Sequence, residues 1–172
     1  GALGGLSSDV FLSRIANFKR HYTDIEVEFT QTNMITLNLC LLKGSFDVVL
    51  SREIDVKQRS DEIAWQTLYQ DHFGILFPKE HPLSDIKNTD DLSCLSNEPF
   101  VFLKSSVTPN VYRYVKQLCA SRFLTMNEAY PAPTLEILCT LVKAGMGIAV
   151  VPDCAMNYSN GTLAFVPLQG ED

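Results

Sequence analysis

Catalytic chemistry would have to come from three histidines, five cysteines or a few adjacent carboxylates, and none of these is arranged for it. His21, His72 and His81 are not spaced with Cys, Asp or Glu as zinc ligands are. The chain has no H-E-x-x-H, no G-x-S-x-G and no phosphate-binding P-loop. Asp61-Glu62 and Asp90-Asp91 lie in polar surroundings and read as solvated loop charges. His72 beside a strand reads as a structural histidine, and His81 before Pro82 as a turn residue. Cys40, Cys94, Cys119, Cys139 and Cys154 are odd in number and include no C-x-x-C, as expected of reduced thiols. Cys40, Cys119 and Cys139 fall within helical apolar patterns, so they are expected in cores. No catalytic residue, metal site or cofactor is expected.

What the sequence does offer is a set of small, polar junctions between strands and helices. Gly4 to Ser8, Thr30 to Asn33, Lys104 to Ser106 and Pro133-Thr134 each stand where a strand pattern gives way to a helix pattern. Each helix start exposes N–H groups and the positive end of its dipole. In open α/β sheets, ligands sit beyond the carboxyl ends of the strands. Two or three such junctions on one crevice would suit a small organic anion or polar metabolite, with Lys104 the one formal charge. Taken singly, each junction is explained by ordinary helix capping. Gly4-Gly5 lacks the G-x-G-x-x-G pattern, which excludes a dinucleotide site there.

The elements that must position these junctions are legible from periodicity. Leu135, Leu138, Cys139 and Val142 form a helical stripe behind Thr134, a natural N-cap. Gly145 follows as the helix stop, and Ile148 to Val151 form an apolar run that Pro152 ends, a strand buried on both faces. Earlier, Val10 to Tyr22 reads as an amphipathic helix capped by Ser7 or Ser8. Ile25, Val27 and Phe29 alternate as a strand, Thr30 to Asn33 is a polar turn, and Met34 to Lys43 is a helix ended by Gly44. Phe46 to Leu50, Ile63 to Leu68, Phe73 to Phe77, Phe100 to Leu103, Asn127 to Tyr130 and Leu163 to Val166 read as strands. Asn110 to Phe123 reads as a helix. Ser51 to Glu62 reads as a surface excursion, and Asp153 to Tyr158 as a short helix or turn. The alternation predicts an α/β protein with a mainly parallel sheet.

Composition sets outer bounds. A chain of 172 residues with 46% hydrophobic and 20% charged residues makes one domain or two small lobes. A net charge of −6 argues against this segment gripping a phosphate backbone. No apolar run is long enough to span a membrane, and no basic n-region followed by an apolar h-region opens the chain, which leaves open a signal peptide upstream of Gly1.

V-K-A-G-M-G-I-A-V-V-P (142–152) resembles the signature near the end of the effector-binding domain of LysR-type transcriptional regulators. The resemblance continues through nearly the whole chain, in order. Phe18 with Tyr22 resembles the end of that family's first helix, although Thr23 and Leu12 stand where it commonly has prolines. Leu37, Leu41, Gly44 and Asp47 resemble its L-x-x-x-L-x-x-G-x-x-D, and His81-Pro82-Leu83 matches its H-P-L turn. Asp91-Leu92 followed by Pro99 to Leu103 resembles its D-L and P-F-I strand.

The resemblance implies two Rossmann-like lobes in the type 2 periplasmic-binding-protein arrangement, with a small effector in the cleft between them. Lobe I is expected over residues 1–103, with most of the family's first strand missing. Lobe II is expected over 104–172, with the family's C-terminal return to lobe I missing. Carried over by position, the effector contacts are Gly5, Leu6, Ser7, Ser8, Thr32, Asn33, Met34, Lys104, Ser105, Ser106, Pro133 and Thr134. Met34 stands where the family often has Ser or Thr, which makes that part of the site less polar. One branch of the family senses oxidants through a cysteine pair after the strand at Phe100 to Leu103. Lys104, Ser105 and Ser106 stand there instead, so no such redox switch is expected.

The expected function is therefore the ligand-sensing domain of a cytoplasmic bacterial regulator that is not an enzyme and has no membrane partner. The expected partners are a small effector and a second copy of the chain, as homodimer or tetramer. DNA would be reached only through a helix-turn-helix domain that this chain lacks. The competing expectation is the solute-binding protein of a transporter, which shares the fold.

Overall fold

The predicted helix, glycine turn and strand are all present in the computed structural model, which describes residues 1–3, 9–56 and 63–170. The chain divides into two units, Gly1–Gln66 and Thr67–Asp172.

The first unit contains β1 (Ala2–Leu3), α1 (Asp9–His21), β2 (Gln31–Thr32), α2 (Met34–Leu42) and α3 (Glu53–Val56). Strands β1 and β2 pair in parallel, Ala2 opposite Gln31 and Leu3 opposite Thr32. Leu37 of α2 is fully buried, with Phe46, Val49 and Leu50 packed against it. Three expectations fail here. The backbone of Ile25, Val27 and Phe29 is extended but not a strand, and these side chains stay 39–48% exposed. The ladder instead begins at Gln31, within the stretch read as a turn, opposite Ala2. Phe46 to Leu50 contributes a single parallel bridge, Leu50 to Ala2. The stretch read as a surface excursion contains α3, whose Asp55 is buried against Arg52 at 3.3 Å. On α1, Phe18 and Tyr22 share a face as predicted, with ring centroids 4.8 Å apart, but both remain exposed.

The second unit contains β3 (Phe73–Pro78), β4 (Pro99–Leu103), α4 (Pro109–Ala120), β5 (Asn127–Ala132), α5 (Leu135–Lys143), β6 (Ala149–Pro152) and β7 (Leu163–Pro167). The 63–72 stretch has no regular structure among its described residues, so the strand expected at Ile63 to Leu68 is absent. Strand β4 pairs in parallel with β5, Leu103 opposite Ala132. Strand β3 pairs antiparallel with both β6 and β7. The Ile148 N–H donates to the Pro99 carbonyl at 2.9 Å, and the Val101 N–H donates to the Ile148 carbonyl at 2.8 Å. These bonds join the two ladders in the order β5-β4-β6-β3-β7. The sheet is thus mixed, not mainly parallel, because β3 runs against both neighbours. The expected boundary after residue 103 falls between β4 and α4, which lie in the same unit. Strand β4 is tied to β5 and to Ile148 by its backbone.

Helix α5 covers this sheet as its stripe dictates. Leu138, Cys139 and Val142 are buried in one cluster with Leu76, Val101, Ala149 and Val151. The helix ends in a Schellman turn: the Met146 N–H bonds to the Leu141 carbonyl at 3.1 Å and the Gly145 N–H to the Val142 carbonyl at 2.9 Å. Gly145 takes φ +73°, which only glycine adopts without strain. Gly147 has a different reason to be glycine. A Cβ there would lie 2.2 Å from the Pro99 carbonyl oxygen, the acceptor that joins β6 to β4.

Candidate functional site

Topology places several of the expected residues on one rim of the second unit. Strands β4, β5 and β6 run the same way, so their carboxyl ends share one edge of the sheet. Lys104 to Ser106 leave β4 there, and Pro133-Thr134 leave β5 beside them. The Lys104 N–H donates to the Ala132 carbonyl at 3.0 Å, which clamps the two exits together. The Lys104 carbonyl then accepts the N–H groups of Val107 and Thr108 at 3.0 and 3.1 Å, turning the chain into α4. The side chains of Lys104, Ser105, Ser106 and Thr134 are exposed on this rim. Among the described residues no carboxylate pairs with Lys104.

Thr134 does what an N-cap does. Its Oγ1 accepts the Ile137 N–H at 3.2 Å, from an extended backbone at φ −140°, ψ 161°. That leaves the N–H groups of Leu135 and Glu136 without an intrahelical acceptor. Glu136 already places a negative charge in this first turn. Helix α4 begins differently. Pro109 has no N–H, and the Thr108 side chain makes no capping bond. The Thr108 hydroxyl is buried without a hydrogen-bond partner.

In the first unit, Thr32 ends β2 and Asn33 caps α2, its Oδ1 accepting the Thr36 N–H at 3.0 Å. Met34 opens α2. Because β1 and β2 are parallel, Leu3 and Thr32 mark the same end of that pair. Gly5, Leu6, Ser7 and Ser8 lie outside the described residues.

The rim carries one feature the sequence reading missed. Asp71 precedes β3 and Asp153 follows β6, and antiparallel pairing of Phe73 with Pro152 brings them together. The Asp153 N–H donates to the His72 carbonyl at 2.9 Å, and the Cys154 N–H donates to Asp71 Oδ1 at 3.3 Å. A hydrogen bond to Asp71 is the largest influence on Asp153 and pushes its carboxyl up to about 6. Desolvation and the Asp71 charge push the same way. The signal was present as two aspartates flanking strands that pair, but a parallel sheet would have sent them to opposite edges.

The remaining candidates are structural. His81 Nδ1 accepts the Leu83 N–H at 3.2 Å, while Nε2 faces Glu98 at 3.4 Å, so it organises its turn as predicted. Asp91 accepts the Ser93 N–H at 2.9 Å, a bond that holds its carboxyl below the usual range. Cys119 and Cys139 are buried as their stripes predict, and burial pushes their thiols up to about 12 and about 11. Cys40 is only partly buried. Among the described residues no cluster of His, Cys, Asp and Glu could hold a metal ion. A cavity of about 20 Å³ lies between β4 and α4, lined by Phe102, Val111, Tyr112, Val115 and Met126. It has room for about one water molecule and none for an organic ligand.

The LysR substrate binding domain profile matches residues 1–172. The chain belongs to the LysR substrate-binding-domain family. It is 25% identical over 174 residues to the uncharacterised HTH-type transcriptional regulator YnfL of Escherichia coli K12, covering 99% of this chain and 57% of that protein. It is 25% identical over 168 residues to the HTH-type transcriptional regulator TtuA of Agrobacterium vitis, covering 98% of this chain and 54% of that one. The chain thus spans about half the length of the curated relatives it matches. Its fold is that of LysR effector-binding domains. The effector-binding domain of QuiR, solved in complex with shikimate, superposes with TM-score 0.79 at 15% identity, covering 100% of this chain and 80% of that one. The effector-binding domain of BenM with benzoate superposes with TM-score 0.74 at 19% identity, covering 100% and 77%. Among the described residues no helix is long and apolar enough to cross a membrane.

Proposed function

We propose that this chain is the effector-sensing domain of a LysR-type transcriptional regulator, and that it binds a small organic anion without transforming it. The observation that carries this reading is the family match across residues 1–172, joined to the fold shared with domains solved with shikimate and benzoate. The matched relatives are transcriptional regulators, which favours this reading over a transporter's solute-binding protein.

The proposed contacts are Lys104, Ser105, Ser106, Pro133 and Thr134 on the rim of the second unit and, carried over by family position, Gly5 to Ser8, Thr32, Asn33 and Met34. Lys104 supplies charge, and the N–H groups at the start of α5 supply directed donors. Control of transcription follows if the ligand favours one of two arrangements of the full-length protein, which requires unequal affinity for the two. We further propose that the regulator is cytoplasmic, forms homodimers or tetramers, and touches DNA through a helix-turn-helix domain outside this chain.

A thermal-shift screen with benzoate, shikimate and other small carboxylates tests the reading, since a ligand bound only by the folded state raises Tm by mass action. Stabilisation by at least one carboxylate, with the compound recovered unchanged, is the expected result. Turnover of a stabilising compound would overturn the assignment as a sensor. A uniformly negative screen, with the solute-binding arrangement intact by scattering, would overturn the choice of anions.

A further inference from the structure

We infer that Asn160 is a site of spontaneous deamidation, and that the turn holding it sets the rate. Asn160-Gly161 is the one Asn-Gly pair in the chain; every other asparagine precedes a residue that carries a side chain. Both residues are exposed. Among the described residues nothing hydrogen-bonds the Asn160 carboxamide or the Gly161 N–H. The amide side chain is therefore free to react, and glycine puts no bulk beside the attacking nitrogen.

The chemistry needs only water and hydroxide. The Gly161 amide nitrogen gives its proton to hydroxide and attacks Asn160 Cγ. The N–Cγ bond forms as the Cγ–Nδ2 bond breaks, and ammonia leaves. The product is a five-membered succinimide. Water opens it at Cγ to give aspartate, or at the main-chain carbonyl to give isoaspartate, whose backbone runs through Cβ and Cγ. No oxidant or reductant takes part.

The backbone holds this reaction back. Asn160 at φ +48° and Gly161 at φ +76° are the centre of a turn that the Thr162 N–H closes on the Ser159 carbonyl at 3.0 Å. Two positive φ values make the turn type I′, which sets ψ of Asn160 at about +30°. There the Gly161 nitrogen points away from Cβ. Ring closure needs the two nearly eclipsed, at ψ of about −120°, outside the regions that L-residues favour. The turn must therefore open before the ring can form. Two side chains resist the opening. Thr162 Oγ1 donates to the Ser159 carbonyl at 2.7 Å, and Ser159 Oγ accepts the Leu163 N–H at 3.2 Å. Leu163 then opens β7 opposite Pro78, and the Lys79 N–H donates to the Thr162 carbonyl at 3.0 Å. Aspartate at 160 keeps the backbone length and can close the same turn. Isoaspartate adds a backbone carbon between Ser159 and Thr162, so the turn cannot close and the start of β7 loosens.

The test is to incubate the 172-residue chain in mildly alkaline buffer, folded and in urea above its unfolding midpoint. Peptide mapping by mass spectrometry follows loss of the Asn160 amide, and isoaspartate is distinguished from aspartate by electron-transfer fragmentation. Three hydrogen bonds hold the turn, through the Thr162 N–H, Thr162 Oγ1 and Ser159 Oγ. Each is worth about five-fold in the equilibrium between closed and open, so deamidation should run about a hundred-fold slower in the folded chain than in urea. This comparison needs no variant. Thr162→Val removes the Oγ1 bond and should speed the folded rate about five-fold while leaving the rate in urea unchanged. Asn157, which precedes Tyr158, is the internal control and should stay intact while Asn160 converts in urea. Equal rates in buffer and urea, or a folded rate that Thr162→Val does not change, would overturn the gating by the turn. An Asn160 that survives in urea, or an Asn157 that converts as fast, would overturn the site itself.

Discussion

Replacing Gly147 by alanine should damage the fold far more than replacing Gly145, although both stand in the same A-G-M-G turn. At Gly147 the new Cβ would sit 2.2 Å from the Pro99 oxygen and 2.9 Å from its carbon. An ordinary contact needs about 1 Å more, and the obstacle is backbone in a paired strand, so β4 and β6 must part. Forced overpacking of this type costs about 1–3 kcal/mol. The two bonds through Ile148, at 2.9 and 2.8 Å, would stretch, at about 1 kcal/mol each. Together these cost about 3–5 kcal/mol. With a urea slope of about 2 kcal/mol/M, the midpoint should fall by about 1.5–2.5 M. At Gly145 the Cβ meets nothing within 4 Å, and only the strain at φ +73° is added, about 1 kcal/mol. Urea unfolding followed by circular dichroism measures both variants. If Gly147→Ala shifted the midpoint no more than Gly145→Ala, the β4–β6 junction would not be the support described here.

Thr134→Val should destabilise the chain by about 1 kcal/mol through loss of the cap on Ile137, while Thr134→Ser should not. A loss of ligand affinity in Thr134→Val that Thr134→Ser restores assigns the hydroxyl to the cap and site together; equal loss in both assigns it to neither. Lys104→Ala should weaken binding of a carboxylate found in the screen about five-fold and move stability by less than about 0.5 kcal/mol, since the side chain is exposed and unpaired. Unchanged affinity by calorimetry would remove Lys104 from the site. In the native chain Cys94, which is exposed, should react with Ellman's reagent first. Cys119, pushed up to about 12 by burial, should react only on unfolding, and prompt labelling of Cys119 by peptide mapping would contradict its packing.

The sequence showed the second unit more clearly than the first, for a physical reason. Leu135, Leu138, Cys139 and Val142 are in or against the core, so their spacing follows the helix they cover with. Phe73 to Phe77 and Ile148 to Val151 are apolar runs because they are enclosed by neighbours on both edges. Ile25, Val27 and Phe29 alternate just as regularly, yet no ladder forms, since alternation marks which side a residue would face and not whether a partner exists. Strand direction was also beyond reach. Nothing in F-G-I-L-F-P distinguishes a strand parallel to its neighbours from one that opposes both. That single unknown hid the proximity of Asp71 and Asp153 in the fold. For the site, the rim residues at 104–106 and 133–134 were legible because polar exits from apolar strands are local features. Their clamping through Lys104 and Ala132 was not, because residues 28 apart in sequence meet only through the sheet.

Strand β3 has a consequence for how the chain is made. Ile75, Leu76 and Phe77 are fully buried, and both of the strand's edges are paired. Yet its partners, Ala149–Pro152 and Leu163–Pro167, leave the ribosome well after it. Throughout synthesis of residues 79–148, the nascent chain therefore presents an apolar strand open on two sides. Closure must wait for both of those segments, so this unit closes only once they have emerged. Any fragment ending before Ala149 should be sticky, however much of the rim it contains.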